Sequence, residues 1–321
     1  MQGRIIQFLK QADGYVSGEE MSDDLHISRA AVWKYIDQLR QDGYDILAVP
    51  HLGYKLQSLP DKMLAHEIQF GLSTKFMGQK VYSFDSLAST MDEAFRLGME
   101  GAPEGTVICA EGQTKGRGRL GRSWLSPRGK GIYCSLILRP KLLPTQMPPL
   151  TLMTAVALAE AMRQTTSLQS VIKWPNDLLI HSRKVAGILT ELRAEVDQVK
   201  FVVIGVGLNV NTNSHQLLDT ATSLKIETKK TINRIEVFQA FLRSMEIWYG
   251  KVLKGQFDSV LDYCRQHSAT IKKHVRIHDA TGDAQGQALD IDHDGGLLIR
   301  QASGVIVKKM AGDVMTLRDK S

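Results

Sequence analysis

Cysteine is scarce in this chain. Cys109, Cys134 and Cys264 are the only three in 321 residues, far apart, with no C-x-x-C pair and no cluster of Cys and His. That spacing excludes a disulfide framework and a structural zinc site, and leaves three thiols for the core. Long apolar runs are missing too: none approaches the roughly eighteen residues that a bilayer-spanning helix needs. Met1-Gln2-Gly3-Arg4 leads into an amphipathic pattern and not into a signal-peptide core, so the expected location is the cytoplasm, with no membrane partner. Internal repeats and low-complexity tracts are absent, and 43% hydrophobic with 23% charged residues is ordinary globular composition. Also absent are the signatures of a covalent or metal-assisted hydrolase, G-x-S-x-G, H-E-x-x-H or a placed Cys/His pair.

Charge is present and uneven. The formal net charge is +6, yet between Glu111 and Lys141 eight bases (Lys115, Arg117, Arg119, Arg122, Arg128, Lys130, Arg139, Lys141) face the single acid Glu111. One stretch thus carries +7, more than the whole excess, and an anionic partner is expected there.

At about 100 to 200 residues per domain, the length suggests two or three domains. The first sixty residues read as three short helices and a two-stranded ribbon. Ser17-Gly-Glu-Glu20 fits a capping box that opens a second helix, ending near Leu25. His26-Ile27-Ser28 connects to a third helix from Arg29 to about Gln41. On its 3.6-residue period Val32, Tyr35, Ile36 and Leu39 share one face. Two strands flank Pro50-His51-Leu52-Gly53. This is the order of a winged helix-turn-helix, whose third helix enters the major groove, so Ser28, Arg29, Ala30, Trp33 and Lys34 are the candidate DNA contacts. A three-helix domain that docks on a protein fits the same pattern. Charge does not separate the two, because residues 1 to 58 hold six bases against eight acids, net −2. A monomer of this domain would neutralise few phosphates, so DNA binding calls for a dimer on a palindromic site.

Ser58-Leu-Pro-Asp61 reads as a linker. Beyond it strands and helices alternate, with long striped helices over 150–165 and 234–253 and strands rich in Val, Ile and Leu, among them Val185 to Leu192 and Phe201 to Leu208. From Thr270 four short strands separated by glycine turns read as a small β-barrel-like cap. The expected class is therefore α+β multidomain, with boundaries at 1–60, 61–269 and 270–321. Phe201 to Leu208 is expected to pair edge to edge with its twin in a homodimer.

Gly116-Arg-Gly-Arg-Leu-Gly-Arg122 satisfies G-x-G-x-x-G, but Pro127, Gly129 and Gly131 follow at once, so no helix opens as a dinucleotide-binding fold would require. The segment stays a loop. Its glycines allow close backbone approach to an anion, and its arginines are permanently charged donors matched to phosphate or carboxylate. A solvated basic loop and a nucleic-acid contact are the competing readings. Lys173-Trp-Pro-Asn-Asp177 and, seven residues on, Lys184-Val-Ala-Gly-Ile188 would place a lysine at the mouth of a β-pair beside a small Ala-Gly step, which suits a clamp on an acyl carboxylate or phosphate. Lys184 as a surface lysine and Asp177 as a turn former remain open alternatives.

Taken in order, Ser89-Thr90, Gly116 to Arg122, Lys173 to Asp177, Lys184 to Ile188 and Gly205-Val-Gly-Leu-Asn209 resemble the biotin protein ligases, of the bifunctional kind that also represses biotin genes. The resemblance covers essentially the whole chain. It implies a winged helix-turn-helix, a central α/β ligase domain with a mixed sheet and a small SH3-like carboxy-terminal β-barrel. It further implies that biotin and ATP with Mg2+ give biotinyl-5′-AMP, that a lysine of a biotin carboxyl carrier protein then takes the biotin, and that the adenylate is also the corepressor of an operator-bound homodimer. By motif, Ser89, Thr90, Gln113, Gly116, Arg117, Trp124, Lys184 and Gly187 would hold biotin. Arg119, Arg122, Trp124, Asn176 and Asn209 would serve the nucleotide, with Arg119, Lys184 and Asp177 as the catalytic set and no metal ligands assigned. Some members cover adenine with an aromatic residue after the Gly205 to Asn209 strand, but 210–236 contains no Phe, Trp or Tyr. Two rival readings are a lipoate or octanoate ligase, which resembles the same central fold, and a non-enzymatic regulator that senses a small acid.

Overall fold

The computed structural model describes residues 1–195, 198–279 and 282–317. The chain forms two compact units, Met1–Phe70 and Gly71–Ser321.

The first unit contains α1 (Gln2–Gln11), α2 (Gly18–Leu25), α3 (Arg29–Gln41), the hairpin β1 (Asp45–Val49) and β2 (Gly53–Ser58), and a short α4 (Ala65–Gln69). Ser17 caps α2 by accepting the amides of Glu19 and Glu20 at 3.1 and 3.2 Å, and Ser28 caps α3 through the Ala31 amide. Ser17 makes the cap without the reciprocal Glu20 bond that a full capping box would add. Ile5, Ile6, Leu9, Met21, Leu25, Val32, Ile36 and Leu39 fill one core. Gly53 turns the ribbon with a φ of +106°, and a Cβ there would sit 2.1 Å from the Val16 carbonyl oxygen, so only glycine fits. The unit extends past the linker expected at Ser58–Asp61. Glu67 of α4 is buried, paired with Lys10 at 2.5 Å and hydrogen-bonded by the Tyr44 hydroxyl. A carboxylate taken out of water needs such partners, and these tie α4 to α1 and to the end of α3.

In the second unit, β3 (Val81–Phe84), α5 (Thr90–Met99), β4 (Thr106–Ala110), β5 (Gly131–Leu138), α6 (Pro148–Thr166), β6 (Val171–Lys173), β7 (Asp177–Ile180), β8 (Arg183–Glu195) and β9 (Gln198–Asn209) build a seven-stranded sheet. Its order is β3-β4-β5-β9-β8-β7-β6, parallel between β3 and β4 and antiparallel elsewhere. Then come α7 (Leu224–Thr228), α8 (Arg234–Leu253) and α9 (Asp258–Gln266). Helices α6 and α8 pack on each other, as their apolar stripes require. The edge-to-edge role expected of Phe201 to Leu208 is overturned. This strand lies inside β9, which β5 flanks on one side and β8 on the other, so both rows of its backbone groups are already paired. An open edge lies on β8 instead: beyond Gly187 its ladder with β7 has ended, while the ladder with β9 continues to Glu195.

The remaining strands, β10 (His274–Asp279), β11 (Gly282–Ile291), β12 (Leu297–Arg300), β13 (Ile306–Lys309) and β14 (Asp313–Thr316), form an antiparallel sheet in the order β13-β12-β11-β10-β14. It is anchored to the central sheet through Trp174, whose buried indole donates from Nε1 to the Gly295 carbonyl at 2.9 Å and whose amide donates to Thr270 Oγ1 at 3.0 Å. Among the described residues no helix is long and apolar enough to cross a membrane.

Candidate active site

The 112–129 segment is a loop, as its proline and glycines dictate, and it is an ordered one. Gly118 donates to the Arg122 carbonyl at 2.7 Å, Trp124 to Gly116 at 2.9 Å, and Gln113 to Ser126 at 3.3 Å, which folds the loop into an irregular hairpin. Leu120 and Gly121, with φ of +54° and +72°, turn its tip. The loop leans over a cavity of about 970 Å3 on the sheet, the size of a site for a ligand with many non-hydrogen atoms.

Two glycines of the sheet make room for Trp124. A Cβ on Gly207 would lie 2.4 Å from Trp124 Cε2, and one on Gly187 would lie 3.1 Å from its Cζ3, so the indole rests directly on the backbone of β8 and β9. Lys184, the second residue of β8, reaches the same place. Its Nζ is 2.7 Å from Asp177 Oδ1 and 5.4 Å from the centre of the Trp124 ring. At the other end, Ser89 caps α5, and Gln113 Oε1 accepts from the Thr90 amide at 2.8 Å and from Thr90 Oγ1 at 3.1 Å. Gln113 Nε2 donates to Ser126 Oγ at 2.9 Å, and Ser135 donates to Thr90 at 2.9 Å. These bonds fix a polar end of the cavity.

The loop arginines are paired with acids far away in sequence. Arg117 meets Glu191 at 3.0 Å and Asp92 at 3.2 Å, Arg122 pairs with Asp313, and Arg128 pairs with Asp85. Arg119 is half-buried and donates to Asn176 Oδ1 at 2.8 Å and to the Gly312 carbonyl at 3.1 Å. Burial pulls its pKa down against the opposing pull of Asp177 and Asp313. An arginine stays charged through such a shift, so the site holds a partly desolvated cation. Burial raises the Asp313 carboxyl, but the hydrogen bond and charge of Arg122 outweigh it and hold the group below the usual aspartate range.

Ser89, Thr90, Gln113, Arg117, Arg119, Arg122, Trp124, Asn176, Asp177, Lys184, Gly187 and Asn209 all line this one cavity. Gly116 lies behind it: a Cβ there would meet the Trp124 carbonyl oxygen at 2.5 Å, so its place is the loop stem. Asn209 is buried, with its side-chain amide on the Thr222 carbonyl at 3.0 Å. The proposed DNA contacts Ser28, Arg29, Ala30, Trp33 and Lys34 are all exposed along the start of α3, and Trp33 is 61% exposed. Six lining residues, from two segments, were not anticipated individually. Leu217 and Leu218 flank the cavity from the 211–223 segment, while Lys273, Asp313, Thr316 and Leu317 reach it from the carboxy-terminal sheet. No local pattern announces Asp313; its role comes from a partner 191 residues away. Among the described residues no three His, Cys, Asp or Glu side chains cluster as metal ligands.

Three family profiles match the chain: an HTH domain over residues 2–55, the Biotin/lipoate A/B protein ligase family over 83–209, and the Biotin protein ligase C terminal domain over 270–315. The bifunctional ligase/repressor BirA of Bacillus subtilis is 40% identical over 306 residues, 94% of each chain. The protein of the same name from Escherichia coli K12 is 28% identical over 97% of this chain and 95% of its own. Among solved structures, the biotin protein ligase from Aquifex aeolicus in complex with biotin and ATP superposes with a TM-score of 0.65 at 28% identity, over 75% of this chain and all of that one.

Proposed function

This chain belongs to the biotin protein ligases of the bifunctional ligase/repressor kind, and from that premise we propose how its residues divide the work. It joins biotin to ATP, passes the biotin to a lysine of a biotin carboxyl carrier protein, and represses transcription through its amino-terminal helix-turn-helix. The domains divide as 1–60 for DNA, 61–269 for catalysis and 270–321 as the cap, with 61–70 packed on the first of them.

One observation carries the assignment of the site. A single cavity gathers a polar end built on Thr90 and Gln113, an indole lying on two glycines, and the Lys184–Asp177 pair. Biotin lies with its ureido ring toward Ser89, Thr90 and Gln113, and its chain runs under Trp124 past the backbone at Gly187. Arg117 braces the loop above it, and Gly116 keeps the stem narrow. The biotin carboxylate then points to Lys184, beside the α-phosphate held by Arg119 and Arg122. Pressing two anions together is the main obstacle to adenylation, and fixed cations in a partly dry site lower it. The carboxylate oxygen attacks phosphorus and pyrophosphate leaves. In the second step the neutral amine of the carrier lysine attacks the acyl carbon, AMP leaves, and Asp177 takes the amine proton.

Asn176 and Asn209 order the nucleotide side. Leu217 and Leu218 supply the adenine cover that no aromatic residue provides in 210–236. Magnesium comes with ATP and neutralises its phosphates. Asp177 and Asp313 are the lining acids, each already engaged by a cation of the protein, so magnesium would enter with the ATP phosphates and would neutralise charge there. The open edge of β8 from Leu189 to Glu195 is the place for a second copy, giving a homodimer when the adenylate is bound. ATP, carrier protein and operator meet in the cytoplasm, where the reading places the chain.

Incubation with α-labelled ATP and biotin, lipoate or octanoate in turn tests the assignment. Biotin alone should yield labelled acyl-adenylate and pyrophosphate. A lipoyl or octanoyl adenylate would move the chain to the rival ligase class, and binding of biotin without pyrophosphate release would make it a sensor only.

A further inference from the structure

Arg234 is fully buried at the first turn of α8. Its Nη2 donates to Glu111 Oε2 at 2.9 Å and its Nη1 to the Gly131 carbonyl at 3.2 Å. Glu111 is the residue by which the chain enters the 112–129 loop, and Gly131 is where it has just left. The two stems are also joined directly, Gly129 donating to the Glu111 carbonyl at 2.9 Å. Tyr133 fastens the exit stem again through its hydroxyl on the Pro127 carbonyl at 3.1 Å.

The second covering segment, 211–223, starts from the same spot. Asn211 donates its amide to the Lys130 carbonyl at 2.6 Å. Its side chain closes a two-way pair with Ile232, Nδ2 to the Ile232 carbonyl and Oδ1 from the Ile232 amide, both at 2.9 Å. Ile232 lies two residues before Arg234. The root of the biotin-side loop, the root of the nucleotide-side segment and the start of α8 therefore meet at one junction with a buried ion pair at its centre.

A buried ion pair is a poor device for stability alone, because apolar residues of similar volume usually serve as well. What it adds is direction, since a guanidinium accepts few geometries. We propose that Arg234 is a positioning residue, holding through Glu111 the two covering segments in one register so that they close on biotinyl-5′-AMP together. This rests on the ligase reading of the site. Arg234 touches neither substrate; it acts through the stems.

The test replaces the pair and does not merely break it. Glu111→Leu/Arg234→Met keeps the volume and leaves no orphaned charge, so its melting temperature should stay close to that of the wild type. Hydrogen exchange in peptides from both 112–129 and 211–223 should nevertheless rise together, and biotinyl-5′-AMP should leave at least about tenfold faster, the scale on which small misplacements act. A double variant that folds, exchanges as the wild type does and keeps its adenylate would overturn the proposal. If that variant does not fold, Arg234→Lys, which retains the charge and loses the two-armed reach, must show the same paired increase in exchange, and its absence is equally decisive. Exchange is measured on the full chain without ligand. A wild type that made no adenylate would sink the ligase reading, while the exchange result would still judge the junction.

Discussion

Arg119, at the tip of the glycine loop, donates to Asn176 Oδ1 at 2.8 Å, joining the two motifs that carry the chemistry across 57 residues of sequence. Asn176 is itself pinned, donating to the Ile188 carbonyl at 2.9 Å while its own carbonyl takes the Ile188 amide. The loop tip is therefore docked on the sheet, with its guanidinium beside the Lys184–Asp177 pair.

Arg119→Ala should release bound adenylate. A half-buried, charge-assisted hydrogen bond contributes about 1.5–3 kcal/mol, so dissociation of biotinyl-5′-AMP should accelerate by roughly ten- to a hundredfold. Rapid filtration of enzyme preloaded with labelled adenylate measures this, and wild-type retention would remove Arg119 from the site.

Arg122 and Asp313 form the outer clasp, where exposure of 66% and 32% makes a strong effect implausible. Exposed ion pairs contribute about 0–1 kcal/mol, so Asp313→Asn should hasten adenylate loss no more than about fivefold. The sign with pH follows from the depressed Asp313 carboxyl. The clasp is intact above the ordinary aspartate pKa of about 3.9 and is lost only as pH falls through its lower folded value. The ratio of variant to wild-type release should thus be constant from neutral pH down to that range, and a ratio that closes near neutrality would contradict the assignment.

Lys184 and Asp177 should separate by half-reaction. Lys184→Ala is expected to slow adenylate formation far more than transfer from supplied biotinyl-5′-AMP, because the lysine neutralises charge where carboxylate meets phosphate. Asp177→Ala should show the reverse. Single-turnover rates for each step decide it: equal slowing of both steps in both variants would point to a disturbed fold.

Much of this was legible in the chain, for reasons that can be located. Pro127 and the glycines around it excluded a dinucleotide-binding helix, and the structure has a loop there. Helix α8 begins and ends where the apolar stripe from Arg234 to Leu253 does. The misassigned strand was legible too. Phe201 to Leu208 is almost continuously apolar, which marks a strand buried on both faces, and β9 is the interior strand that such a run implies. Other features had no local signal. Strand β14 is four residues long, and the acids that pair the loop arginines come from α5, β8, β14 and the residue after β3. Such pairings are set by topology.

Operator binding should depend on α3. Removal of residues 1–70, the whole first unit, should abolish it while ligation persists; a cut at 60 would leave Glu67 without Lys10 and Tyr44. Arg29→Ala in the full chain should cost about 1–3 kcal/mol if the guanidinium reads a base edge. Gel-shift titration at fixed salt measures both, and specific operator binding by the truncated chain would refute the assignment.

We propose that one bound biotinyl-5′-AMP serves both activities, as reaction intermediate and as corepressor. The most direct measurement is to incubate the full chain with biotin and ATP, remove free ligand, and follow bound adenylate and operator occupancy while carrier protein is added. One adenylate per chain should remain bound before addition. Carrier should then discharge it to its lysine, with operator occupancy falling in step. Operator binding that is the same with and without bound adenylate, or that survives its complete discharge, would contradict the account.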